Sequence, residues 1–269
     1  MLGFFDSGLG GLTVLKEAVK LLPQYSYLYL GDNARAPYGD LDQETIYDYT
    51  VEGASELFRR GSQLVVLACN TSSSAALRRI QQEFLPEKFP EKHILGIIVP
   101  TAEEIGSFTE SREVGILGTQ ATVNSLAYTK EIAKAFPEIK TYEAACPMLV
   151  PLIEEGNGDS LEITDLIQIY LNELLVQSFE IDTVILGCTH FALIEDQIKR
   201  QLPYGVRAIS QGPIIAEKLK DYLSRHPGLE NDLEKNSKRV FLSTDDSPRV
   251  ESLSSLFYGS PVKIELVKL

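Results

Sequence analysis

The chain has 269 residues, 44% of them hydrophobic and 23% charged, with a formal net charge of −13 at pH 7. That length allows one large domain or two of ordinary size, and the composition is that of a soluble globular protein. The negative surplus argues against nucleic acid or an anionic membrane as a partner, since either would repel it.

The longest apolar runs are strand-sized, far short of the roughly 20 residues a membrane helix needs. The N-terminus MLGFFDSGLGG has no basic stretch ahead of an apolar segment, so no secretory signal is read. Three widely spaced cysteines, an odd number, make no disulfide framework, and no CxxC pair suggests zinc. The cytoplasm is the expected setting, with no metal.

Short apolar runs alternate with segments of helical period, the signature of a parallel sheet with crossover helices. In chain order, strands are expected at 2–6 (LGFFD), 26–32 (SYLYLGD), 64–69 (LVVLAC), 94–99 (ILGIIV), 114–119 (VGILGT), 183–188 (TVILGC) and 206–210 (VRAIS). Leu12, Leu15, Val19 and Leu22 share one face of an expected helix over 12–22, and a second helix is expected over 160–179 behind an Asp159/Ser160 cap. Pro100 and Pro203 punctuate the chain near two domain crossings.

The layout repeats. FFDSGLGG opens one half and GILGTQAT the other, and 63 residues after Asp6, or 69 after Thr119, a strand ends in a cysteine. The expected fold is therefore α/β: two similar parallel-sheet domains in a pseudo-twofold arrangement with the active site in the cleft between them. Residues 1–97 plus 208–269 form the domain carrying Cys69, and 98–207 the domain carrying Cys188. Ligands of open parallel sheets sit beyond the carboxyl ends of the strands, which is where both cysteines fall.

Either cysteine alone reads as a small buried hydrophobe. The neighbours Asn70, Thr71, Thr189 and His190 are polar groups costly to bury unpartnered, and favour a cleft. Cys146, in ACPMLVPLIEEG, lacks such neighbours and reads as packing. DSGLGG fails the dinucleotide and phosphate-loop patterns; Gly8, Gly10 and Gly11 suit a tight turn that leaves Asp6, Ser7 and backbone N–H groups at a helix N-terminus. GDNARAPYG, with Pro37, Tyr38 and Gly39, reads as a turn. His190 is either a hydrogen-bonded core histidine or an imidazolium that tunes a thiol. Glu154 and Glu155 read most simply as a solvated helix end.

Together, FFDSGLGGLTVL, YLGDNARAPYG, LACNTSS, VGILGTQATVNSLAY, ACPMLVPLIEEG, LGCTHFAL and FLSTDDSPR resemble the motifs of the glutamate racemase family, in the same order and over essentially the whole chain. The resemblance implies that Cys69 and Cys188 are catalytic acid/bases for a cofactor-independent interconversion of L- and D-glutamate, which supplies D-glutamate for peptidoglycan. It implies that Asp6, Ser7, Tyr38, Gly39, Asn70, Thr71, Thr189 and His190 bind substrate, beside Pro37. Asp6 would assist Cys69, and His190 and Glu154 would assist Cys188, while Thr119 and Thr122 match positions near the substrate carboxylates. A homodimer is common in that family. Starting almost directly at MLGFFDSG, the chain is expected to lack the N-terminal extension that the resemblance associates with activator-dependent members. Pro100-Thr101-Ala102, Phe191-Ala192 and Asn33 depart from common family residues.

Three alternatives stand beside this reading. One is a racemase for aspartate or another amino acid. A second is a Cys188/His190/Asp6 hydrolase, although Cys188 and His190, two apart on an extended strand end, would point to opposite faces. The third is a non-catalytic amino-acid binding module.

Overall fold

The computed structural model describes residues 1–269. Its strands are β1 Leu2–Asp6, β2 Tyr27–Gly31, β3 Leu64–Leu67, β4 His93–Gly96, β5 Glu113–Gly118, β6 Lys140–Ala145, β7 Thr183–Gly187, β8 Arg207–Ile209, β9 Arg239–Ser243 and β10 Ile264–Leu266. They form two wholly parallel sheets, β10-β9-β2-β1-β3-β4 and β6-β5-β7-β8. The order β2-β1-β3-β4 in the first sheet matches β6-β5-β7-β8 in the second, so the repeat in the sequence is a repeat of topology. β9 and β10 extend the first sheet alone.

Parallel strands covered on both faces read as unbroken apolar runs, and the side chains divide by parity. Phe5, Leu28, Leu30, Val65 and Leu67 pack with Ile46, Ala54, Leu57 and Phe58 of helix Gln43–Arg59. Leu2, Phe4, Tyr27, Tyr29, Leu64 and Val66 face the other way, toward Leu12 and Leu15 of helix Gly11–Leu21. In the second sheet Val114, Ile116 and Ile185 meet Tyr128 and Ile132, while Leu117, Val184 and Leu186 join the side that includes Ile163, Ile167 and Leu171.

All seven expected strands exist, but several end sooner. The 64–69 strand stops at Leu67, and the 94–99 strand stops at Gly96, because Ile98–Glu104 is a helix. Pro100 is therefore inside that helix, in its first turn, where a missing N–H costs nothing. The helix expected over 160–179 runs Leu161–Leu175. β8 carries the second sheet past residue 207 to Ile209, and helix Gln211–Arg225 then packs on helix Gly11–Leu21. No helix is long and apolar enough to cross a membrane.

Candidate active site

β1 delivers Asp6, 1% exposed, whose Oδ2 accepts the Gly8 N–H at 3.0 Å. Gly10 has ordinary helical angles (φ −57°, ψ −36°), so a left-handed turn is not why glycine stands there. A Cβ on Gly10 would come within 2.6 Å of His190 Nδ1, and one on Gly8 within 2.7 Å of Glu154 Oε1. The bare backbone is what lets residues of the other half approach.

Beyond β3, Cys69 caps helix Asn70–Ala75. Its Sγ accepts the Ser72 N–H at 3.4 Å and lies 3.3 Å from Ser7 Oγ. Beyond β7, the chain turns into a 3-10 helix over Thr189–Leu193. That turn brings His190 Nδ1 to 3.8 Å from Cys188 Sγ, which corrects the expectation that the two side chains point apart. His190 Nε2 is 2.8 Å from Glu154 Oε1, so Glu154 is no solvated helix end, and the histidine's carboxylate partner is Glu154 rather than Asp6. Phe257 meets the His190 ring edge-on at 5.3 Å. Thr189 Oγ1 reaches back to Asp6 Oδ1 at 3.4 Å.

The loop after β2 is anchored by Asp32, fully buried, which accepts from Arg35 Nε at 2.6 Å, from Thr244 Oγ1 at 2.8 Å and from the Tyr38 hydroxyl. Thr119 caps helix Gln120–Ser125, and its hydroxyl lies 2.9 Å from that of Thr71 and 3.0 Å from that of Thr122.

These elements line one narrow cavity. The first half contributes Ser7, Pro37, Tyr38, Gly39, Cys69, Asn70 and Thr71; the second contributes Thr119, Cys188, Thr189 and His190. Asp6, Glu154 and Thr122 stand behind the wall, each hydrogen-bonded to a residue that forms it. Asp40, Gln120, Pro147, Val150 and Pro151 complete the wall and were not picked out from the sequence. Cys146 also touches the cavity. It follows β6 as Cys188 follows β7, with β5 between, so the two backbones are about 10 Å apart, beyond disulfide reach. A larger cavity lies elsewhere and contains no cysteine or histidine. No group of three or more His, Cys, Asp or Glu side chains is arranged to hold a metal ion.

A cavity with one thiol from each of two like halves, each backed by an acid or an imidazole, suits proton transfer to opposite sides of one carbon. The Asp/Glu/hydantoin racemase family model matches residues 12–219. The chain belongs to that family. It is 39% identical over 265 residues to the glutamate racemase of Roseobacter denitrificans, covering 95% of each chain. Glutamate racemase isoform RacE1 from Bacillus anthracis superimposes with a TM-score of 0.90 at 31% identity, covering 100% of this chain and 97% of that one. Glutamate racemase from Francisella tularensis, in complex with D-glutamate, gives 0.87 at 29% identity, covering 99% and 97%. The resemblance carried by DSGLGG, ACNT and GCTH is thereby borne out. The racemase is an isomerase, which sets aside the hydrolase and the non-catalytic binder.

Charge in the racemase site is arranged unequally. Burial, and then the Asp6 carboxyl, push the Cys69 thiol up, while the Ser7 hydroxyl and the Ser72 N–H pull the other way. Asp6 is itself raised, chiefly by burial, against the pull of His190 and the Gly8 N–H. Burial opposes charge on His190, but Cys188 and Glu154 outweigh it and hold the imidazolium well above the usual histidine range. Glu154 is lowered despite burial, by its hydrogen bond to His190 and that ring's charge. The two directions agree on a charged Glu154–His190 pair whose positive ring faces the Cys188 sulfur.

Proposed function

We propose that the racemase interconverts L- and D-glutamate by proton transfer at Cα between Cys69 and Cys188, without a cofactor. The observation that carries this reading is the single cavity shared by both sulfurs, one from the end of β3 and the other from beyond β7. Inversion requires removing a proton from one face and returning one to the other, and two opposed bases achieve it without turning the substrate. One sulfur must start as thiolate and its counterpart as thiol. Burial and the neighbouring Asp6 push the Cys69 thiol up, so Cys69 starts as the thiol.

The α-hydrogen is far less acidic than a thiol, and each pKa unit of mismatch is worth about 1.4 kcal/mol. Carbanion charge must therefore be stabilised by oriented donors in a space that excludes water. Ser7, Asn70, Thr71, Thr119 and Thr189 supply such donors around the cavity, with Tyr38 and Gly39 closing it. Glutamate is the substrate named for the relatives, and D-glutamate for peptidoglycan is the use the resemblance implies.

Racemisation in deuterated water with dialysed enzyme tests the mechanism. Early deuterium in the product with little in recovered substrate is expected in both directions. Product that keeps the original hydrogen would overturn the two-base scheme, as would full turnover by Cys69→Ala or Cys188→Ala. Turnover of aspartate at the glutamate rate would overturn the substrate assignment.

A further inference from the structure

We infer that Gln211 is a positioning residue for racemisation, because it fixes which way the Asn70 side-chain amide faces the substrate. Gln211 opens helix Gln211–Arg225, just after the chain returns from β8, and is 4% exposed. Three side chains form a closed ring there. Asn70 Nδ2 donates to Gln211 Oε1 at 2.7 Å, Gln211 Nε2 donates to the Tyr128 hydroxyl at 2.7 Å, and that hydroxyl donates to Asn70 Oδ1 at 2.6 Å. All three donate in the same sense around the ring, so each bond polarises the next. Asn70 and Tyr128 are 2% and 0% exposed, so water offers no substitute partners.

The direction of the ring follows from the backbone. The Ile97 carbonyl, at the other crossing between the sheets, can only accept. It takes the Thr101 hydroxyl at 2.7 Å, and that oxygen in turn lies 3.2 Å from Gln211 Nε2. Gln211 Nε2 also points at the Ile97 carbonyl itself, at 3.4 Å. The Gln211 amide is thereby held with its nitrogen toward Thr101 and Tyr128, and its oxygen toward Asn70. A flipped Asn70 would set oxygen against oxygen. An asparagine amide has two N–H donors, and only one is used in the ring. The other remains for the cavity that Asn70 lines, where a substrate carboxylate calls for a donor and would be repelled by a carbonyl.

The sequence gives no local signal for this role, because Asn70, Thr101, Tyr128 and Gln211 come from four separate segments. The ring joins Asn70 and Gln211 of the first half to Tyr128 of the second beside both crossings, so it ties the set of the cleft to the orientation of one amide within it.

The inference rests on Asn70 meeting the substrate, and the test separates the two ideas. Gln211→Leu, similar in size but without the amide, should lower kcat/KM for glutamate about tenfold or more, with KM rising. In an Asn70→Ala background the same change should leave kcat/KM where Asn70→Ala alone set it, while still lowering the melting temperature. Glutamate binding by calorimetry replaces turnover where the latter is too slow. Should Gln211→Leu not fold, Tyr128→Phe, which removes one oxygen, should show the same non-additivity. Losses that add fully in the double variant would mean a merely structural role and overturn the inference. Full activity in Asn70→Ala would overturn the reading of Asn70 itself. A crippled Asn70→Ala beside fully active Gln211→Leu and Tyr128→Phe would overturn only the positioning role.

Discussion

Gly10→Ala isolates how closely the two halves meet. By propensity the change should help, because the Gly10 backbone is already right-handed helical and removing a glycine from such a site stabilises by about 0.5–1 kcal/mol. The new methyl, however, would be 2.6 Å from His190 Nδ1, and closer still to Thr189 Oγ1. An ordinary contact is about 3.5 Å, so one side must retreat by about 1 Å. Overpacking of that kind costs about 1–3 kcal/mol, for a net loss of up to about 2.5 kcal/mol after the propensity gain. A 1 Å misplacement of a reacting group costs about 100-fold in rate. Circular dichroism would follow racemisation and thermal unfolding together. Gly228→Ala is the control, since nothing lies within 4 Å of its added Cβ; it should gain up to about 1 kcal/mol and keep full activity. Gly10→Ala behaving like Gly228→Ala would refute the idea that this glycine exists for the approach of His190.

Glu154→Gln should lower stability most between about pH 4.5 and 6.5. The lowered Glu154 contributes stability above its unfolded value and loses it as pH falls through its folded one; the raised His190 contributes below its unfolded value and loses it as pH rises through its folded one. Denaturant unfolding across pH 3–9 checks this, and a difference independent of pH would contradict it. Because the enantiomers have equal free energy in water, Glu154→Gln must lower kcat/KM by the same factor in both directions, whatever it does to each kcat. Asp32→Asn should cost about 2–3 kcal/mol, since Arg35 is left partly buried without that partner, and should raise KM by loosening the Tyr38 loop; an unchanged KM would detach Asp32 from the site. Cys146→Ala should retain turnover, unlike either change at Cys69 or Cys188, and loss of turnover in a folded Cys146→Ala protein would contradict its packing role.

What could be read from the residues follows how much each segment settles by itself. β1, β3 and β7 are buried on both faces and announce themselves as apolar runs ending in polar groups. β6 is an edge strand with one buried residue, Ala144, and β10 has none, so neither carries such a run. Ile97, Ile98 and Val99 continue the apolar run of β4, and such runs look alike in a strand and in a buried helix turn. The thiols, Ser7, Asn70 and Thr189 were legible because they directly follow β1, β3 and β7. The Cys188–His190 contact was not, since it depends on a 3-10 turn. Turn chemistry, which the sequence offers as the reason for Gly8 and Gly10, is local, whereas the neighbour that excludes a side chain arrives from far along the sequence. Gln211 acts through partners in other segments and lies in no motif.

The first sheet is not finished until β9 and β10 arrive, and they come from the end of the chain. While the ribosome is still at work, the second sheet already has all four strands, but β2 presents a bare row of amides and carbonyls to whatever is nearby. The protein is thus born with its later half complete and its earlier half waiting. A chain cut before residue 239 would keep both sulfurs yet leave the β2 edge open to other chains.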